Sequence, residues 1–209
     1  MKLILMSRGL EGTYGTRFLK ETIPAAMVAG KRILVVSLPD YYTDALYVQN
    51  CLEWGCAKEN IVLSEEYASQ AATEFDYVYV TAGNTFEVLA YLQQKGLLAV
   101  IRRIALEGVY IGASAGAMIA GKDIRLAGDF DENFVRLSED EQQGLGLFEG
   151  TIIPHYSYSE YRYYLASKPP VALERYEAVY YVSDIEVLKL EKMEADELWK
   201  EKRIRWECE

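Results

Sequence analysis

Val109-Tyr110-Ile111-Gly112-Ala113-Ser114-Ala115-Gly116-Ala117-Met118-Ile119-Ala120 is the stretch that decides the fold. Val109 to Ala113 is short and apolar and reads as a buried strand, while Ala115 to Ala120 reads as the start of a helix. A single residue, Ser114, separates the two. Such a passage needs a sharp turn, and Gly112 and Gly116 let strand and helix approach closely. Gly-x-Ser-x-Gly in this setting describes a nucleophile elbow. The hydroxyl projects from a strained turn at the end of a strand. The N–H of the next residue, Ala115, points where an oxyanion develops, and the helix N-terminus adds partial positive charge.

The same alternation extends outward in both directions. Lys2 to Ser7, Arg32 to Leu38, Ile61 to Leu63 and Tyr77 to Thr81 read as strands. Phe18 to Ala29, interrupted or bent at Pro24, reads as a helix, as do Asp44 to Trp54, Thr85 to about Lys95, and Leu98 to Leu106. Strands alternating with helices of this length predict an α/β three-layer sandwich around a mostly parallel sheet. In such sheets ligands bind beyond the carboxyl ends of the strands. Ala82-Gly83-Asn84 and Gly112 to Gly116 both fall at such ends. After Gly121 the pattern breaks into an acidic, irregular stretch, with Asp131 to Gly146 a candidate lid. Thr151 to Pro154 is then a short strand leading into His155, and Ala178 to Ser183 and Ile185 to Leu190 are late strands around Ser183-Asp184. Glu191 to Glu209 is highly charged and reads as a surface helix or strand edge.

A chain of 209 residues, 51% of them hydrophobic, suits a single α/β domain over residues 1–209. Its net charge of −10 argues against a nucleic-acid or anionic-membrane partner, since both need Lys and Arg at the surface. Cys51, Cys56 and Cys208 form no even framework and read as reduced thiols. No run approaches the ~18 apolar residues of a membrane span. The N-terminus lacks signal-peptide length, so the expected location is cytoplasmic. Seventeen tyrosines suit half-buried surfaces and small-molecule clefts.

An activated serine needs a base, and the chain has one histidine, His155. A lysine base is the alternative, with Lys122 the nearest in sequence. The acid that orients the imidazole is expected between Ser114 and His155. Asp129, in the turn Gly128-Asp129-Phe130-Asp131, is the choice, with Asp123, Asp131 and Asp140 as competitors.

At these residues the chain resembles the dipeptidase E family, aspartyl dipeptidases related to cyanophycinase, with a class I glutamine-amidotransferase-like (flavodoxin-like) fold. Tyr110 to Ala117 is similar to the family's nucleophile segment, and Val80 to Phe86 to its Gly-Gly-Asn-Thr-Phe loop. Ile124-Arg125 with Asp129 is similar to the stretch supplying the triad aspartate, and Phe148 to Tyr156 to the strand delivering the histidine. The resemblance implies Ser114 as nucleophile, His155 as base, Asp129 as its orienter, and the N–H groups of Gly83 and Ala115 as the oxyanion hole. It implies no cofactor and no metal. The substrate it implies is a short peptide or other small amide, and Asn84, Thr85, Tyr156 and Arg162 are the candidate contacts. The expected assembly is a monomer or homodimer.

The chain departs from the family in two places. Ala82 stands where the family has Gly, which is tolerable if its φ is negative. Tyr156 to Tyr164 replaces a basic Thr-Arg-containing segment, with Arg162 as a partial substitute. A catalytically silent small-molecule binder on this scaffold, or a serine esterase or amidase, are the alternative readings.

Overall fold

In chain order the elements are β1 (Lys2–Met6), α1 (Gly15–Thr22), α2 (Ala25–Val28), β2 (Ile33–Val36), α3 (Asp44–Trp54), β3 (Ile61–Leu63), β4 (Tyr77–Val80), α4 (Thr85–Gln94), α5 (Leu98–Glu107), β5 (Val109–Ala113), α6 (Ala115–Ile119), β6 (Gly150–Ile153), β7 (Ala178–Tyr181), β8 (Glu186–Lys192) and β9 (Trp199–Arg205). This computed structural model describes residues 1–9, 15–38, 44–67, 74–156, 159, 163, 166–167, 174–192 and 199–205. The seven-stranded sheet has the order β3-β2-β4-β5-β1-β8-β9. β3, β2, β4, β5 and β1 pair in parallel, while β8 and β9 add an antiparallel margin. β6 and β7 form a separate parallel pair.

Side chains alternate across the sheet with period two, and both faces are apolar. Leu3, Leu5, Leu34, Val36, Val78, Val80 and Tyr110 point to one face, where α4, α5 and α6 pack. Ile4, Met6, Ile33, Val35, Tyr77, Tyr79 and Ile111 point to the other, where Leu19, Val28, Tyr47, Cys51 and Trp54 of α1 to α3 cover them. Each fully buried aliphatic side chain contributes about 1.5–3 kcal/mol of transfer free energy. The three-layer sandwich expected from the sequence is therefore present.

Two readings leave alternatives open, and the structure decides each. Pro24 interrupts the helix predicted over Phe18 to Ala29: it becomes the N-cap of α2 (φ −55°, ψ 145°), which leaves two helices in place of one bent helix. Of the surface helix or strand edge read from the charged tail, the strand is what forms: β9 pairs along all of β8 from Glu186↔Arg205 to Lys192↔Trp199.

The glycines of the elbow are there for close approach. A Cβ on Gly116 would lie 2.2 Å from the Val80 carbonyl oxygen, and one on Gly112 would lie 2.6 Å from the Gly116 carbonyl oxygen. Both obstacles are backbone, which cannot swing aside. Gly116→Ala is expected to cost about 3 kcal/mol, the upper part of the overpacking range. That corresponds to a fall in Tm of roughly 6–12 °C by calorimetry for a chain of this size. Gly128→Ala is the control, since its Cβ would meet only Phe86 Cζ at 3.8 Å. Equal Tm values for the two variants would refute the packing account.

Candidate active site

Parallel register sets the site. Val80 of β4 pairs with Gly112 of β5, and Met6 of β1 pairs with Ala113 on the other side. The turns after β4, β5 and β1 therefore emerge side by side at the carboxyl end of the sheet. Ser114 has φ 48° and ψ −108°, a left-handed backbone that a serine adopts only under constraint. The constraint is visible. Ser114 N–H donates to the Met6 carbonyl (2.9 Å), and the buried Tyr110 hydroxyl donates to the Gly116 carbonyl (2.6 Å), tying strand to helix beneath the turn. Burial pushes the Tyr110 phenol well up, so it remains a donor.

His155 approaches from β6. Its Nε2 lies 3.1 Å from Ser114 Oγ, within hydrogen-bond reach. His155 also has a positive φ, 59°. Its N–H donates to Ser7 Oγ (3.0 Å), and the Ser7 hydroxyl in turn donates to the Val182 carbonyl (2.6 Å). Ser7 thus stitches the end of β1 to the ends of β6 and β7.

The acid beside the imidazole is Asp184, not Asp129. Asp184 Oδ1 lies 2.6 Å from His155 Nδ1. The reason is register: β6 and β7 run parallel with Ile153 opposite Tyr181. His155, two residues past one strand, and Asp184, three past the other, are delivered to the same end. Val182 N–H donates to the Ile153 carbonyl (3.0 Å) and Tyr156 N–H to the Val182 carbonyl (3.2 Å), which prolongs the pairing. The turn holding Asp184 is closed by Glu186, which accepts from Ser183 N–H (3.1 Å) and from Arg205 Nε (2.5 Å). Burial works to raise the Glu186 carboxyl, but the Arg205 guanidinium and the Ser183 N–H outweigh it and hold it below the usual range. The second oxygen of Asp184 pairs with Arg8 Nε at 3.1 Å.

Asp129 ends a short 3₁₀ segment, Arg125–Asp129, that packs toward α4, where Gly128 faces Phe86. Of the competing acids, Asp123 and Asp131 are committed elsewhere. Asp123, 1% exposed, accepts from the Tyr176 hydroxyl (2.6 Å) and pairs with Arg175 (3.0 Å). Asp131 Oδ2 accepts from Thr85 N–H (2.8 Å) and from the Thr85 hydroxyl (2.6 Å). Asp140 lies in a 3₁₀ turn, Glu139–Gln142. Lys122, the alternative base, pairs with Glu149 at 3.3 Å.

The loop before α4 holds its shape through its own side chains. Asn84 Oδ1 accepts from the N–H groups of Phe86 (3.1 Å) and Glu87 (3.2 Å), and its Nδ2 donates to the Glu132 carbonyl (2.9 Å). Thr85 is 1% exposed. These two side chains, the candidate substrate contacts, cap α4 and anchor residues 131–132. Gly83 has φ 152°, and the Ala82 substitution is accommodated because Ala82 is not among the residues of positive φ. Gly83 precedes the N-cap of α4 and Ala115 is the first residue of α6, each just past one of the adjacent strands β4 and β5. Tyr156 packs against Tyr181, ring centroids 4.7 Å apart. Arg162 lies outside the described residues. Among the described residues, no group of three or more His, Cys, Asp or Glu is gathered to hold a metal ion.

The model of peptidase family S51 matches residues 22–198. The chain belongs to peptidase family S51. Relatives of the S51 chain include an uncharacterized peptidase of Listeria monocytogenes, 29% identical over 112 residues (52% of this chain, 55% of that one). A peptidase E of Shewanella denitrificans is 36% identical over 93 residues (44% and 38%). A Drosophila melanogaster protein named as a probable alpha-aspartyl dipeptidase is 29% identical over 141 residues (66% and 57%). The matched part thus spans about half the length of these curated relatives. A Listeria monocytogenes crystal structure named for peptidase E superposes with a TM-score of 0.69 at 20% identity, covering 99% of this chain and 98% of that one. A peptidase from an acI-B1 actinobacterium superposes with a TM-score of 0.62 at 17% identity, covering 90% and 82%. At these identities the two structures establish that the S51 chain shares their fold.

Proposed function

We propose that this chain is a serine peptidase of the dipeptidase E type that hydrolyses short peptides through an acyl-enzyme. One observation carries the reading: the relay in which Ser114 Oγ lies 3.1 Å from His155 Nε2 and His155 Nδ1 lies 2.6 Å from Asp184 Oδ1. His155 Nε2 takes the serine proton as Oγ attacks the scissile carbonyl. Asp184 accepts the Nδ1 hydrogen bond, holds the tautomer that leaves Nε2 free, and offsets the imidazolium that forms. The N–H groups of Gly83 and Ala115 stabilise the tetrahedral oxyanion. His155 then passes its proton to the leaving amine, and water repeats the sequence on the ester. The names of the relatives, peptidase E and alpha-aspartyl dipeptidase, support small peptides as the substrate class.

The net charge of −10 supports a protein without nucleic-acid or anionic-membrane partners, and a cytoplasmic monomer or homodimer completes the proposal. Among the described residues no helix is long and apolar enough to cross a membrane.

A fluorophosphonate probe tests the nucleophile directly. Native protein is expected to gain one adduct, located by tandem mass spectrometry on Ser114, and Ser114→Ala none. A dipeptide panel read by release of primary amine tests the substrate class. Native protein that neither labels nor hydrolyses any member would overturn the reading and favour a silent binder. Turnover of esters alone would favour an esterase.

A further inference from the structure

We infer that Arg8 is a positioning residue for the base: it fixes the carboxylate of Asp184 and thereby the tautomer of His155. The inference deepens the serine-peptidase reading and rests on it for its catalytic consequence. Its structural part stands on the geometry alone.

A carboxylate held at one oxygen can still rotate about its χ2 bond. Asp184 is held at both. Oδ1 meets His155 Nδ1 at 2.6 Å and Oδ2 meets Arg8 Nε at 3.1 Å, so the carboxylate plane is fixed between ring and guanidinium. The Asp184 side chain is only 12% exposed, and a carboxylate so far removed from water needs a charged partner to remain ionised and in place. Arg8 itself is half exposed. An ion pair with one exposed member adds little to global stability, so its value lies in orientation.

Position in the chain strengthens the point. Ser7 and Arg8 are consecutive residues following β1, and β1 lies against β5 with Met6 opposite Ala113, directly before Ser114. Ser7 Oγ accepts from His155 N–H, while Arg8 takes Asp184. One dipeptide therefore anchors the base by its main chain and the acid by its carboxylate. Both anchors are referenced to the strand beside the nucleophile.

The test compares Arg8→Met, which keeps an unbranched stem and removes the charge, with Arg8→Lys, whose ammonium can return to Oδ2. His155 is the only histidine, so ¹⁵N resonances of the imidazole report on it alone. In native protein the ring is expected in the Nδ1–H tautomer. In Arg8→Met it is expected to shift toward a mixture, with kcat on the best dipeptide of the panel falling about 10- to 100-fold at a KM within about two-fold. Tm should stay within about 2 °C, since an exposed pair is weak. Arg8→Lys should restore part of both signals. An unchanged imidazole spectrum in Arg8→Met would overturn the inference, whether or not the protein hydrolyses peptides. A raised KM with kcat retained would overturn it too, by making Arg8 a substrate contact. Native protein that shows no labelling and no hydrolysis fails the peptidase reading instead, and the tautomer measurement still decides the role of Arg8.

Discussion

Ser114→Ala and His155→Gln are each expected to lower kcat by about 10⁶-fold, and the double variant by no more than either. The reason is that the two side chains act as one unit. The serine hydroxyl is a poor nucleophile until its proton has somewhere to go, and Nε2 at 3.1 Å is that place. With either group missing the proton transfer is lost, and removing the second costs nothing further. A residual acceleration of about 10³–10⁴ over water is expected to survive, because the backbone donors of the oxyanion hole remain. Multiplying losses in the double variant would mean that the two residues act independently, against the relay. Ser114→Gly adds a structural check. Backbone at φ 48° costs a serine of order 1–3 kcal/mol, and glycine relieves it. That variant should be inactive yet show a higher Tm than Ser114→Ala, which keeps the strain.

The fold was legible where local chemistry and tertiary demand coincide. Val109 to Ala120 could be read without its neighbours because only small residues tolerate a strand and helix so close, and the would-be Cβ contacts at Gly112 and Gly116 confirm that cause. The strands of the parallel sheet were readable because both faces are buried, which leaves continuous apolar runs. β9 was readable only as one of two options, a surface helix or a strand edge. Trp199-Lys200-Glu201-Lys202-Arg203-Ile204-Arg205 has no apolar alternation, and it is a strand because β8 offers it an edge and Glu186 offers Arg205 a partner. Ser114 and His155 were legible from residue type, one in a motif and the other by being the sole histidine. Asp184 was passed over because sequence order favoured an acid between serine and histidine. The signal that identifies it is the parallel register of β6 and β7, which becomes visible only once the strands are paired. Asn84 and Thr85, read as candidate contacts, also have a structural task. Polar residues before a helix are first of all caps, and these two satisfy α4 and Asp131.

Asp184→Asn is expected to lower kcat by about 10⁴-fold with little change in KM, by enforcing the wrong tautomer. The change removes one charge and almost no volume, so its effect is a matter of which atom faces which neighbour. An asparagine has one acceptor and one donor where the aspartate has two acceptors. Arg8 Nε–H at Oδ2 is always a donor, and a charged one, so the amide oxygen turns to it. The NH₂ group is then left facing His155 Nδ1, which must give up its proton to accept. The proton moves to Nε2, the atom that should receive the serine proton at 3.1 Å, and the base is blocked. The imidazole ¹⁵N spectrum should show the Nε2–H tautomer in Asp184→Asn and the native tautomer in Asp129→Asn. That contrast separates the two acids even if the Asp129 change disturbs packing. The same reasoning ties the two sides of the carboxylate together. In an Arg8→Met background the guanidinium no longer draws the amide oxygen, so the asparagine can turn it back toward Nδ1–H. The loss caused by Asp184→Asn should therefore be smaller there than in the native background. Equal losses in both backgrounds would show that the amide's orientation is not set by Arg8.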